Sequence, residues 1–233
     1  HKALPPAHSK SGSSGYGEPT APDTKYYFSW MARILPNVDQ LPLHEQINWN
    51  ASPWWQHPIN ETPIPVYLCP MDNRGALIAM YGAEAVALTE YLCVNGTDQF
   101  AFNGCMYVNS KVKLTSITDG SSNTLLVGER PPSADLVFGW WFAGAGDSPN
   151  FGVTDVCLGT AERQTSGGTT ETYREGTIND PANVHRWHFW SLHPGGSHFL
   201  IADGTVRFIS YSAGQNIVNA LATRAGNESV EIP

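Results

Sequence analysis

Charge is scarce in this sequence, and basic charge scarcest: 15% of the 233 residues are Asp, Glu, Lys or Arg, with 13 basic against 21 acidic side chains. The net charge of −8, with no run of Lys or Arg, argues against a surface that attracts nucleic acid or an anionic membrane. No stretch of about 18 uninterrupted apolar residues occurs, so nothing reads as a transmembrane helix, and no basic-then-apolar start reads as a signal peptide. The chain starts at His1 rather than Met, which reads as a processed or truncated product. None of the four cysteines forms a CxxC pair, which argues against a zinc ribbon or a thioredoxin-like site. A Gly-x-Ser-x-Gly nucleophile elbow is also missing; Gly195-Gly196-Ser197-His198 has neither its spacing nor its strand-to-helix setting. There is no internal repeat.

What is abundant is glycine (22) and proline (17), which suits a loop-rich fold of short strands in a single domain. Residues 1–24 form an irregular lead-in rich in Pro, Ser and Gly, and residues 25–233 a single globular head. Pro42 suits the first turn of a short helix, and Asn216–Arg224 has helical spacing stopped at Gly226. Short strands are expected at Val66–Cys69, Lys113–Ile117, Thr124–Gly128 and Phe138–Phe142. Ala76–Tyr91 has the Ala, Leu and Glu content of a helix, against which stands Gly82. The clearest element lies in Ser191–Ser210: a His193-Pro194-Gly195-Gly196 turn, then a hairpin around Asp203-Gly204. A two-residue type I′ loop there pairs Ile201 with Val206 and Phe199 with Phe208 and puts all four on one face.

Several residue groups invite chemistry, each with a plainer alternative. His185, His188, His193 and His198 with Asp203 offer metal ligands; alternatively His193 fixes its own turn by bonding loop backbone, or meets the Asp119 or Asp203 turn. Asp119, Ser121, Ser122 and Asn123 supply oxygens a calcium ion would accept, and equally the Asx-turn caps that need no ion. Acidic pairs can be drawn among Glu129, Asp135, Asp155 and Glu162, but spacing selects none, and the chain is read as a non-enzyme. Among eight tryptophans, Trp54-Trp55 and Trp140-Trp141 each present indoles to opposite sides if extended, which provides stacking platforms for a glycan or other solute. Cys69, Cys93, Cys105 and Cys157 form one or two disulfides in an oxidising compartment or stay buried thiols; Cys93 with Cys105 is the local pairing.

The spacing of His193, nine residues, Asp203, Gly204 resembles the C-terminal motif of a prepilin-like family of planctomycetes and related bacteria, also labelled as solute-binding. Further landmarks follow in the order of that family: Leu4-Pro5-Pro6-Ala7, Ser29-Trp30 to Gln40, Leu68-Cys69-Pro70, Ile117–Thr124 with Gly128-Glu129-Arg130, and Ala222-Thr223-Arg224 to Glu228. The resemblance implies an α+β, pilin-like head with an antiparallel sheet, its N-terminal helix truncated, leaving an apolar groove where that helix packs. It implies His193, Asp203, Gly204, Asp119, Gly120 and Asn123 as structural motif residues, and partners that are other pilin-like subunits, reached through the missing helix. That helix is also the one membrane contact, so the expected location is extracytoplasmic, at the cell surface or in the periplasm. A role as a soluble surface or secretion-pseudopilus subunit head follows, with an extracellular glycan- or solute-binding module using Trp54, Trp55 and Trp140 or Trp141 as the alternative. Calcium in pseudopilin heads keeps Asp119, Ser121 and Asn123 as candidate ligands.

Overall fold

The computed structural model describes residues 3–10, 26–75, 77–81, 84–144, 152–163, 170–228 and 230. The lead-in beyond Lys10 lies outside the described residues. In chain order the regular elements are α1 (Trp30–Ile34), α2 (Leu41–Glu45), β1 (Ile78–Tyr81), β2 (Glu84–Ala87), β3 (Tyr91–Gly96), β4 (Leu125–Glu129), β5 (Cys157–Gly159), β6 (Ala161–Arg163), β7 (Thr170–Thr172), β8 (Gly196–Ile201), β9 (Val206–Ser210) and α3 (Gln215–Ala222). This is an α+β chain, as expected.

Its centre is a five-stranded sheet ordered β5-β3-β4-β8-β9. All neighbours are antiparallel except β3 and β5, which run parallel, so the expected antiparallel sheet is a mixed one. Every residue of β4 is buried, as are all but the first of β3, because both faces of these two strands are covered. α3 packs on β3 and β4 through Val218 and Leu221, its N-terminus set by Gly214 at φ +87. Gly128 in β4 has no side chain for a reason of packing: a Cβ there would lie 2.4 Å from the ring of Phe199, its partner on β8. The β1–β2 hairpin forms a small core of its own with Leu77, Ala79, Val86 and Leu88.

The described part of the lead-in packs into the core through residues 7–10. Ala7, His8, Ser9 and Lys10 are buried. Their backbone is tied by Ala7 N–H to Tyr107 O (3.1 Å), Trp30 N–H to Ala7 O (2.8 Å) and Asn109 N–H to His8 O (2.9 Å). Ser29 caps α1 by accepting from Ala32 N–H.

Other expectations change. Val66–Cys69 and Lys113–Ile117 are not strands: Pro65–Tyr67 and Leu114–Ser116 are 3-10 turns, the first set by proline at its start. Within the helix candidate Ala76–Tyr91 the described residues form β1 and β2 and the first residue of β3, not a helix. Phe138–Phe142 contributes a single bridge, Leu88 with Trp140, not a strand. Thr124–Gly128 and Asn216–Arg224 match β4 and α3 within a residue or two.

The hairpin itself is offset by one residue from the expected register. Leu200 pairs with Val206, Phe199 with Arg207 and His198 with Phe208. The loop spends three residues, closed by Ile201 N–H to Thr205 O at 2.8 Å, with Gly204 at φ +90. A one-residue offset swaps faces, so Phe199 and Ile201 are fully buried while Val206 and Phe208 are exposed. All four cysteines are buried thiols, and the neighbour of Cys93 is Cys157, its partner across β3 and β5, rather than Cys105.

Candidate functional site

The chemistry gathers at the base of the hairpin. β4 ends in Glu129, 5% exposed, whose side chain reaches under the turn that leads into β8. One carboxylate oxygen, Oε2, is fixed by β8: the backbone N–H of His198 donates to it at 2.6 Å and His198 Nδ1 lies 3.3 Å away. The other, Oε1, lies 3.3 Å from His193 Nε2. The same Nε2 is 3.8 Å from the thiol sulfur of Cys69, which follows the Pro65–Tyr67 turn. Cys69, Glu129 and His193 thus bring a sulfur, an oxygen and a nitrogen within 4.8 Å of one another.

Each member is held from behind. The Cys69 backbone N–H donates to the Glu90 carboxylate. His193 N–H donates to Ser191 Oγ at 3.0 Å, and that hydroxyl donates to Gly196 O at 2.8 Å. The imidazoles of His193 and His198 meet edge to face with centroids 4.8 Å apart. Burial pushes the Cys69 thiol above its ordinary value, and the carboxylates of Glu90, Glu129 and Asp72 add to the effect. Burial also raises Glu90, to about 8, against the lowering effect of the Cys69 N–H bond. The side chain of His193 is 27% exposed, which leaves the cluster a route in from solvent.

His193 therefore meets neither Asp119 nor Asp203. β8 separates it from Asp203 by six strand residues, about 20 Å of extended chain. Asp203 sits exposed at the tip, where Oδ1 accepts from Thr205 N–H (2.9 Å) and Thr205 Oγ1 (2.7 Å). Asp119 latches the C-terminal segment instead. Its Oδ2 accepts from Gly226 N–H (2.7 Å) and Thr223 Oγ1 (3.1 Å), its Oδ1 from Asn227 N–H (2.9 Å). Gly120, at φ +98, starts the turn Ser121–Asn123, and its carbonyl accepts from Asn123 N–H and Thr124 Oγ1. Both Asp119 oxygens accept from protein donors, which is the capping arrangement of an Asx turn.

The tryptophans do not form a row of platforms. Trp141 is fully buried with its indole N–H on Thr62 O at 3.0 Å, which removes it from the binding candidates. Trp54 and Trp140 are half-buried and meet edge to face, centroids 6.2 Å apart, over a crevice of only about 10 Å³. The side chain of Trp55 lies outside the described residues. His185 and His188 lie three apart around a 3-10 turn, Val184–Trp187, which brings them to one side with Nδ1 and Nε2 at 2.8 Å. Burial pushes His188 down to about 3, Arg174 adding to the effect. The four histidines are thus two separate pairs.

Sequence reading picked out His193 and His198 as candidate ligands, but named Cys69 only among the cysteines and Glu129 only among the acidic residues, not as partners of His193. The signal that would have found them was present: Leu68-Cys69-Pro70 and Gly128-Glu129-Arg130 are landmarks of the same resemblance that supplies His193, and the fold brings these three together. Among the described residues no helix is long and apolar enough to cross a membrane. A family model, SBP_bac_10, described as "Protein of unknown function (DUF1559)", matches residues 1–216. No curated protein and no solved structure matches the chain.

Proposed function

The chain belongs to the SBP_bac_10 (DUF1559) family, and on that footing we propose that it is the globular head of a prepilin-like surface subunit whose work is assembly and contact. The observation that carries this reading is β9. Among the described residues it is an outer strand of the central sheet, and it exposes Val206 at 63% and Phe208 at 43%. An outer strand with apolar side chains on its exposed face suits contact with a neighbouring subunit. The buried segment Ala7–Lys10 supports the same reading, since an element upstream of it would be joined to the core by a rigid tether. The partners would be further pilin-like subunits, the location extracytoplasmic, and the head non-catalytic.

A groove favours the second reading, a solute-binding module. It measures about 420 Å³ and is lined by Leu4, Pro6, Ile34 and Trp49 with Arg33 and His44. In the assembly reading the same groove receives an upstream helix; in the binding reading, a small ligand. Its volume falls within the range of ligand sites. Titration of candidate glycans and small solutes against tryptophan emission separates the two, because Trp49 forms a wall of the groove.

The test of the first reading is gold-labelled antibody against this head, imaged by electron microscopy on source cells and on a strain lacking the gene. Labelled filaments or short surface stubs that vanish in the deletion support assembly. Diffuse envelope label without filaments overturns it.

A further inference from the structure

We propose that Cys69, Glu129 and His193 form a zinc site with three protein ligands and a fourth position open to solvent. Tetrahedral zinc has bonds of about 2.3 Å to sulfur and about 2.0 Å to nitrogen or oxygen, so the edges of its coordination polyhedron are about 3.6 Å for S···N and about 3.3 Å for N···O. The corresponding separations here are 3.8 Å for Cys69 Sγ to His193 Nε2 and 3.3 Å for His193 Nε2 to Glu129 Oε1. The two edges that meet at His193 thus match a zinc polyhedron within a few tenths of an ångström, and the third, from Cys69 sulfur to the Glu129 carboxylate, lies within 4.8 Å and closes by a small side-chain adjustment.

The donor set selects the metal. Sulfur, imidazole nitrogen and one carboxylate oxygen suit zinc and not calcium or magnesium, which take oxygen. Charge agrees: a thiolate and a carboxylate neutralise a divalent cation, and binding releases the Cys69 thiol proton to solvent. The surrounding groups are arranged as outer supports of a metal site are. His198 holds Oε2 of Glu129 through its backbone N–H and Nδ1, leaving Oε1 directed at His193. Ser191 fixes the His193 backbone and Glu90 the Cys69 backbone. The fourth position opens beside His193 and His198, whose side chains are 27% and 40% exposed. Three protein ligands with an open position is the arrangement of zinc sites that exchange or act on a bound molecule rather than closed structural ones. The proposal is independent of whether the head assembles or binds a solute.

The test uses the purified chain, stripped with chelator, exchanged into chelator-free buffer and titrated with Co²⁺. One equivalent produces a near-ultraviolet thiolate-to-cobalt charge-transfer band and the strong visible bands of tetrahedral cobalt, and Zn²⁺ displaces both. Cys69→Ser loses the charge-transfer band, and His193→Gln weakens Co²⁺ binding at least about 100-fold. His198→Ala leaves all three ligands and weakens it about 10-fold. His193 lies in a half-exposed turn, so its variant serves if Cys69→Ser fails to fold. A wild-type chain without the charge-transfer band overturns the proposal, as does a band that persists in Cys69→Ser or binding unchanged in His193→Gln.

Discussion

The two ends of the β8–β9 hairpin differ in what holds them. At the tip, Asp203 accepts from Thr205 two residues away, and Gly204 takes φ +90 with open space within 4 Å of where a Cβ would stand; the contacts of these two residues are local and exposed. At the base, Gly196 is pressed against the facing strand, and Cys69, Glu129 and His193 converge from segments more than 50 residues apart. A tip of this kind is a property of its own few residues. A base of this kind is a property of the fold.

The contrast gives its largest effect at the two glycines. A Cβ on Gly196 would lie 2.2 Å from the carbonyl oxygen of Ile209, a backbone atom that cannot swing aside, so Gly196→Ala costs about 3 kcal/mol by urea denaturation. Next is Glu129→Ala, which leaves the His198 N–H without its acceptor in a buried setting and costs about 2 kcal/mol by the same measurement. Of similar size is a pH effect from His188, buried on the approach to the base and held neutral down to about 3. Unfolded, it takes up a proton near 6.5; stability is therefore whole above that pH and falls below it by up to about 1.4 kcal/mol per unit. In His188→Gln this component of the slope between pH 6.5 and 5 disappears. At the tip, Gly204→Ala meets no atom and costs only its positive φ, about 1 kcal/mol. Asp203→Ala, at a fully exposed side chain, gives the smallest shift in melting temperature of the set. Equal losses at Gly196 and Gly204 would erase the distinction.

The same division decides what could be read from the sequence. Hairpin, β4 and α3 were legible because turn residues, β-branched runs and helical spacing act over a few positions. The register was not. Asp203-Gly204 is compatible with a two- or a three-residue loop, and the choice of the longer one turned Val206 and Phe208 outward. Val66–Cys69 and Phe138–Phe142 carry strand-like residues, but sheet partners are assigned by the whole chain, and these segments find at most a bridge. Of the site, His193 stood out by its spacing from Asp203, yet that spacing joins two ends that do not touch. Its contacts, Cys69 and Glu129, lie 124 and 64 positions away in sequence, and no local pattern encodes separations of that length. The tryptophans were ambiguous for a related reason: burial of Trp141 depends on Thr62 and the core packed around it, not on its neighbour Trp140.

The central claim is that His193 is coupled to Glu129 across the fold and not to Asp203 along its own hairpin. Two double-mutant cycles measured by urea denaturation in the presence of chelator test it, one pairing His193→Ala with Glu129→Gln and the other pairing His193→Ala with Asp203→Ala. The account predicts a coupling of about 1 kcal/mol or more in the first and simple additivity in the second. Additivity in the first cycle with coupling in the second would contradict it.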